Sequence, residues 1–128
     1  MEKLNLTGSP KTPTIEFNSE SGYLLIKGRS IPENSIEFYR PLIEALEAYN
    51  DTPQATTKVD ISLEYFNTSS SKCILDVFKR LETINSGASE VLINWHYEEE
   101  DEDMLEAGED YQAIINIPFK MIEVEEED

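Results

Sequence analysis

A run of four hydroxyl side chains is the feature of this sequence best suited to chemistry. It lies in the segment Tyr65-Phe66-Asn67-Thr68-Ser69-Ser70-Ser71-Lys72, between a predicted strand and a predicted helix. Small polar residues at such a junction commonly cap the free N–H groups of the helix. The alternative is phosphorylation, because a phosphate carries about −1.5 to −2 charges at neutral pH and is stabilised by those N–H groups and by the helix dipole. Residue types alone leave Thr68, Ser69, Ser70 and Ser71 equivalent, and Lys72 lies near enough to pair with the phosphate.

The single histidine and the single cysteine are weaker candidates for chemistry. A catalytic triad around His96 would need a nucleophile and an orienting acid beside it, so we interpret this strand residue as a packing or rim side chain. Cys73 falls beside the apolar stripe of a predicted helix, and we interpret it as a small buried hydrophobe. One histidine excludes a multi-histidine metal site, and no nucleotide-binding or nucleophile motif occurs. No catalytic residue, metal or cofactor is therefore predicted.

Most of the excess negative charge lies in two segments. Nine of the 13 residues at 98–110 and five of the six at 123–128 are acidic, in a chain of net charge −17. The first segment lacks the Asp/Asn spacing and central Gly of a calcium loop, so a solvated face is expected, with a docking surface for a basic partner as the alternative. Elsewhere the acids nearly balance the bases. No basic face is left to bind nucleic acid or an anionic membrane surface.

The length and composition predict one globular domain. The chain has 128 residues, of which 39% are hydrophobic, and residues 1–128 are expected to form a single domain with a polar arm at 1–12 and an acidic tail at 123–128. A lone cysteine cannot form an internal disulfide, and the first residues carry no signal-peptide pattern. No apolar run reaches the length of a membrane span. The predicted location is therefore the cytoplasm.

Hydrophobic periodicity predicts an α/β fold with element order β-β-α-β-α-β-α-β. Five strands are expected within residues 14–17, 23–27, 59–65, 90–97 and 113–124, and three helices within 35–50, 72–87 and 103–111. Asn34 or Ser35 is expected to cap the first helix, and Pro41 to kink or divide it. Helices between strands imply a mixed sheet covered by helices, and right-handed crossovers tend to place those helices on one face.

Four motifs, which follow one another along the chain as they do in that family, resemble the SiaC family of bacterial regulatory phosphoproteins. They are Leu63-Glu64-Tyr65-Phe66-Asn67-Thr68-Ser69-Ser70-Ser71-Lys72, Pro32-Glu33-Asn34-Ser35, Trp95-His96-Tyr97 and Ile117-Pro118-Phe119. The resemblance extends over about residues 12–124 and implies a fold similar to the STAS domain of anti-sigma-factor antagonists. It also implies that Thr68 is the phosphorylated residue. Tyr65, Asn67, Ser69, Ser70 and Lys72 are the expected partner-binding residues around it.

The resemblance further implies a set of protein partners. A serine/threonine kinase would phosphorylate Thr68, and a PP2C-type phosphatase would remove the phosphate. The unphosphorylated form would bind and activate a diguanylate cyclase in cyclic-di-GMP and biofilm signalling, so the chain itself would not be an enzyme. Two alternatives remain open. One is an anti-sigma factor as the partner, with control of transcription. The other is a small hydrolase or metal-binding enzyme that uses His96 and the acidic run.

Overall fold

The described part of the chain, residues 3–87 and 89–125 of a computed structural model, forms six strands and three helices. The strands are β1 (Lys3–Leu6), β2 (Thr14–Asn18), β3 (Tyr23–Ser30), β4 (Thr56–Phe66), β5 (Glu90–Glu98) and β6 (Phe119–Val124). The helices are α1 (Ser35–Tyr49), α2 (Thr68–Asn85) and α3 (Glu102–Ile114). The predicted mixed α/β class is confirmed, with six strands in place of about five.

The six strands form one sheet in sequence order, from β1 at one edge to β6 at the other. β1, β2 and β3 pair antiparallel, whereas β3, β4, β5 and β6 pair parallel. Because every crossover leads to the next strand in the same direction, right-handed connections place all three helices on one face. The molecule is therefore a two-layer α/β structure, and the helices cover only one side of the sheet.

Alternate residues of the strands point into the layer between sheet and helices. In β4, Val59, Ile61 and Leu63 are buried, whereas Lys58 and Glu64, which point to the other face, are exposed. The fully buried apolar side chains come from both layers and include Ile15, Leu24, Ile26, Leu42, Leu46, Ile74, Phe78, Leu81, Ile84 and Trp95. One continuous core thus joins the sheet to α1, α2 and α3.

Helix α1 runs without interruption through Pro41, so the predicted division there is wrong. The side chain of Asn34 caps the helix by accepting a hydrogen bond of 3.2 Å from the Glu37 N–H. Pro41 itself is exposed, so the carbonyl that loses its donor lies on the hydrated side of the helix. Burial of the opposite stripe, Tyr39, Leu42, Leu46 and Tyr49, keeps the helix in place.

Strands occupy part of each terminal segment that was predicted to be a polar arm or an acidic tail. The predicted polar arm contains β1, whose Leu4 and Leu6 pack partly against the core. Four residues are too few to give a clear alternating pattern, and for that reason the strand was missed. Strand β6 extends through Glu123 and Val124, the first two residues of the predicted acidic tail. Residues 1–2 and 126–128, the outer parts of both predicted segments, lie outside the described residues.

Helix α3 is longer than predicted and includes Ala113 and Ile114, which were assigned to the last strand. Asp101 caps it by accepting a hydrogen bond of 3.0 Å from the Met104 N–H. Gly108 lies within the helix against the Trp95 ring, where an added Cβ would come within 2.6 Å of Trp95 Cδ1. Glycine is thus needed for close helix–sheet packing at this point.

Candidate functional site

Asn67 fixes the position at which α2 begins. Its side-chain Oδ1 accepts a hydrogen bond of 2.8 Å from the Ser70 N–H, which is the N-cap interaction of the helix. Its own N–H donates to the Ser30 carbonyl over 3.0 Å. The start of α2 is thereby attached to the end of β3. Asn67 is half-buried and already occupied in these structural bonds.

Ser70 is fully buried behind the first turn of α2. Its hydroxyl donates to the Ser30 carbonyl over 3.0 Å and accepts a 2.9 Å hydrogen bond from the Ser30 hydroxyl. An enzyme would have to unfold the helix start to reach it. Among the four hydroxyls that the sequence left equivalent, Ser70 is therefore a structural residue.

Tyr39 of α1 extends this network. The Ser30 and Tyr39 hydroxyls lie 2.5 Å apart, and Tyr39 is the donor because Ser30 donates its proton to Ser70. Burial raises the pKa of Tyr39 to about 12, so the phenol stays protonated and can donate at neutral pH. No local sequence pattern reveals this network, since its members lie up to 40 positions apart.

Ser69 links the starts of the two helices. Its hydroxyl donates to Asn67 Oδ1 over 3.2 Å and lies 2.8 Å from the hydroxyl of Ser35, the first residue of α1. Ser35 is buried, whereas Ser69 is exposed. Ser71 is half-buried, and its hydroxyl donates to the Thr68 carbonyl over 2.7 Å. Ser69 and Ser71, like Ser70, are therefore engaged in hydrogen bonds.

Thr68 is exposed as the first residue of α2. Its hydroxyl forms no hydrogen bond with any residue in the described ranges 3–87 and 89–125. The N–H groups of Thr68 and Ser69 stand in the first turn, where a helix offers them no intrahelical acceptor. Thr68 is thus the hydroxyl of the four that is both accessible and unengaged.

One cationic and one aromatic side chain lie close to Thr68 along the chain. Lys72, four residues along the same face of α2, is exposed and forms no ion pair with the described residues. Tyr65, which precedes the helix, is 51% exposed, and the guanidinium carbon of Arg29 lies 6.0 Å from the centre of its ring. The Tyr111 hydroxyl of α3 donates to the Ser71 carbonyl over 2.8 Å. All three helices therefore contribute to this end of the domain.

His96 lies on the opposite side of the molecule, on the face of the sheet that carries no helix. Its Nε2 is 3.2 Å from Oδ1 of Asp60, which also accepts from the Tyr23 hydroxyl and the Asn94 amide. Burial raises the pKa of Asp60, but hydrogen bonds from Asn94, Tyr23 and His96 outweigh it and leave this pKa below its ordinary value. Half-buried His96 is thus part of a polar cluster remote from Thr68.

Cys73 is only half-buried, in contrast to the buried hydrophobe that was predicted. It lines a surface groove between α1 and α2, and burial raises the pKa of its thiol. Within the described ranges, no group of three or more His, Cys, Asp or Glu residues is arranged to hold a metal ion. Nor does any helix in that part of the chain have the length and apolar character needed to cross a membrane.

The fold and this site together are those of a single-sheet α/β domain with an accessible threonine hydroxyl at the start of a helix. Comparison with known proteins identifies the family within that class. A family model described as "SiaC family regulatory phosphoprotein" matches residues 6–124, and the chain belongs to the SiaC family. A curated relative from Pseudomonas aeruginosa strain UCBPP-PA14, called an uncharacterized protein, is 33% identical over 119 residues, which cover 93% of this chain and 94% of the relative.

Solved structures of SiaC from Pseudomonas aeruginosa have the same fold. One is the crystal structure of the diguanylate cyclase SiaD in complex with its activator SiaC; the matched chain is 31% identical, with 94% of this chain and 99% of that chain covered and a TM-score of 0.87. A second structure of SiaC is 30% identical; the match covers 97% of this chain and 100% of that chain, with a TM-score of 0.87. The apo-SiaC structure is 31% identical; the match covers 95% of this chain and 99% of that chain, with a TM-score of 0.85.

Proposed function

We propose that this chain is a phosphorylation-controlled activator of a diguanylate cyclase, and that Thr68 is its phosphorylated residue. The observation that carries the proposal is the contrast within the hydroxyl run. Thr68 is exposed and has no hydrogen-bond partner among the described residues, whereas Ser70 is buried and bonded. A serine/threonine kinase can approach the first of these side chains without opening the fold.

A phosphate on Thr68 is compatible with the folded domain. It would lie in the first turn of α2, where free N–H groups and the positive end of the helix dipole stabilise negative charge. The cap from Asn67 would remain in place because its acceptor oxygen bonds Ser70 and not Thr68. Phosphorylation would therefore change the charge of the surface and leave the fold intact.

The relatives supply the class of effector. SiaC of Pseudomonas aeruginosa, which matches nearly all of this chain, occurs in a crystal structure as the activator bound to a diguanylate cyclase. By this similarity the unphosphorylated form of our chain activates a cyclase in cyclic-di-GMP signalling, in the cytoplasm. A PP2C-type phosphatase restores that form. The chain then acts as a substrate and an allosteric partner, with no catalysis of its own.

The phosphorylation site is tested by incubating the purified chain with its kinase and ATP and mapping the product by mass spectrometry. We expect one phosphate on Thr68 in the wild type and none in Thr68→Ala. Thr83→Ala is the matched control, because Thr83 is also an exposed threonine of α2. Phosphate incorporation that is unchanged in Thr68→Ala would contradict the site assignment.

The effector is tested by activity. Addition of the unphosphorylated chain to the diguanylate cyclase should raise cyclic-di-GMP production from GTP, and the phosphorylated chain should raise it much less. Recovery of an anti-sigma factor and no cyclase in a pull-down from the native cell would favour transcriptional control instead. Equal activation by both forms would contradict the switch.

A further inference from the structure

An open groove runs between α1 and α2 beside the proposed phosphorylation site. It has a volume of about 550 Å³, and its lining includes Ile36, Ser69, Lys72, Cys73, Leu75 and Lys79. Ile36 is 70% exposed, the highest value among the large hydrophobic side chains that are exposed in the described residues. Ile36 lies in the first turn of α1 and does not belong to the buried stripe of that helix, so its apolar side chain is presented at the groove.

The groove lining contains a lysine without an ion pair among the described residues, in a strongly acidic protein. The chain has a net charge of −17, yet the groove lining contains two lysines and one acid, Asp76. Asp76 lies 3.7 Å from Arg80 and Lys79 lies 3.3 Å from Glu82, whereas Lys72 has no ion pair in the described part of the chain. The hydrogen bond between Ser35 and Ser69 holds the starts of α1 and α2 together, so the positive ends of two helix dipoles point to the same place.

We infer that this groove binds a segment of the diguanylate cyclase in which an acidic residue stands beside an apolar one. This inference rests on the proposed function. Ile36 is the apolar contact, and Lys72 is the charged contact. A carboxylate in the partner is attracted by Lys72 and by the two helix starts, and an aliphatic or aromatic side chain beside it covers Ile36. A basic segment would be repelled at Lys72, and a purely apolar one would leave the Lys72 charge without a partner.

This assignment also explains how phosphorylation would act on binding. Thr68 and Lys72 are four residues apart on one helix, which brings their side chains together on the same face. A phosphate on Thr68 would form an ion pair with Lys72 and would leave extra negative charge at the mouth of the groove. The partner would lose its cationic contact and meet repulsion, without any change of fold in this chain.

The apolar contact is tested by titrating the purified chain against the cyclase and measuring the dissociation constant. We expect Ile36→Ser to weaken binding about tenfold or more, as truncation of a central apolar contact does. Ile114→Ser is the matched control, because Ile114 is another exposed isoleucine, 57% exposed, on α3. Both changes are at exposed positions, and circular dichroism will verify that both variants fold.

The charged contact is tested with Lys72→Glu in the unphosphorylated chain. This substitution changes the local charge by as much as a phosphate does and leaves Thr68 intact. We expect affinity to fall about tenfold or more at low salt. The loss should be smaller at high salt, because salt screens the interaction between the charges. Lys120→Glu is the control, because it makes the same charge change at an exposed position of β6, whose partner Asn94 lies on the helix-free face of the sheet.

The outcomes separate the two proposals. Weak binding by Ile36→Ser and Lys72→Glu, with wild-type affinity in both controls, supports the groove as the docking site. Tight binding by Ile36→Ser and Lys72→Glu overturns the groove and leaves the proposed function standing, as does an equal loss in the variants and their controls. Absence of any binding between the wild-type chain and the cyclase overturns the proposed function and the inference with it.

Discussion

The hydroxyl oxygens of Ser35 and Ser69 lie 2.8 Å apart and join the first turn of α1 to the first turn of α2. Each of these serines stands next to a residue that faces the solvent, Ile36 in α1 and Thr68 in α2. The proposed modification site and the proposed apolar contact are therefore separated by a single hydrogen bond. A change at one of them needs no long pathway through the protein to affect the other.

The buried Ser70 should be important for stability. Ser70→Ala removes the hydroxyl that bonds both the Ser30 carbonyl and the Ser30 hydroxyl. We expect a loss of about 1–3 kcal/mol in the free energy of unfolding, because the Ser30 hydroxyl is left buried without its acceptor. Urea denaturation followed by circular dichroism measures this value. Ser71→Ala, at a half-buried position of the same turn, should cost less, and an equal cost for both would contradict the assigned role of Ser70.

The N-cap of α2 should contribute to stability independently of the Ser70 hydroxyl. Asn67→Ala removes the acceptor of the Ser70 N–H, and we expect a loss of about 1 kcal/mol in stability. Asn67→Ser keeps a capping oxygen and should recover most of that loss in the same urea experiment. A kinase assay on both variants will separate stability from modification, since neither variant alters Thr68. Identical stability of wild type and Asn67→Ala would argue against the cap.

The polar cluster on the helix-free face should make stability depend on pH. The pKa of Asp60 is lowered in the folded state, so its ionised form contributes stability above the pKa of the unfolded chain. This contribution is lost as the pH falls through the folded-state pKa, in the acid range below an ordinary aspartate pKa of 3.8. We expect Asp60→Asn to be less stable than wild type near pH 7, with a difference that shrinks toward pH 3. A difference that does not vary with pH would contradict this role.

Gly108 should tolerate no side chain. A Cβ there would lie 2.6 Å from Trp95 Cδ1 and 2.6 Å from Met121 Cε, so Gly108→Ala must displace the helix or the indole. We expect a loss of about 1–3 kcal/mol, although alanine is intrinsically the better helix former by about 1 kcal/mol. Thermal unfolding measures the loss. Gly87→Ala is the control, because the nearest atom to its Cβ is 3.6 Å away, and a stabilised Gly108→Ala would contradict the packing seen here.

The sequence predicted the architecture well because the long elements have clear periodicity. β4 alternates over its length, and the apolar stripe of α2 repeats at helical spacing, so both were located correctly. The hydroxyl run was found for the same reason, since it had to lie between those two elements. The four-residue strand β1 was missed, and the end of α3 at Ala113 and Ile114 was assigned to a strand, because tertiary contacts, and not local pattern, decide both.

The sequence did not distinguish the four hydroxyls from one another. Ser70 is buried because Ser30, 40 positions earlier, meets it across the end of the sheet. Ser69 is engaged because Ser35, 34 positions earlier, begins the neighbouring helix. Such long-range partners depend on the register of β3 against β4, which no local pattern reveals. The choice of Thr68 came from family resemblance, and its exposure agrees with that choice.

The uniform direction of the crossovers has a consequence for how this domain can diversify. The capping residues of the three helices, Asn34, Asn67 and Asp101, all follow the carboxyl ends of parallel strands and therefore lie along a single rim of the domain. The solvent-facing side chains beside these caps, such as Ile36 and Thr68, can be exchanged without disturbing the strands or the buried stripes beneath them. New recognition specificities can thus arise from a few surface replacements on an unchanged scaffold.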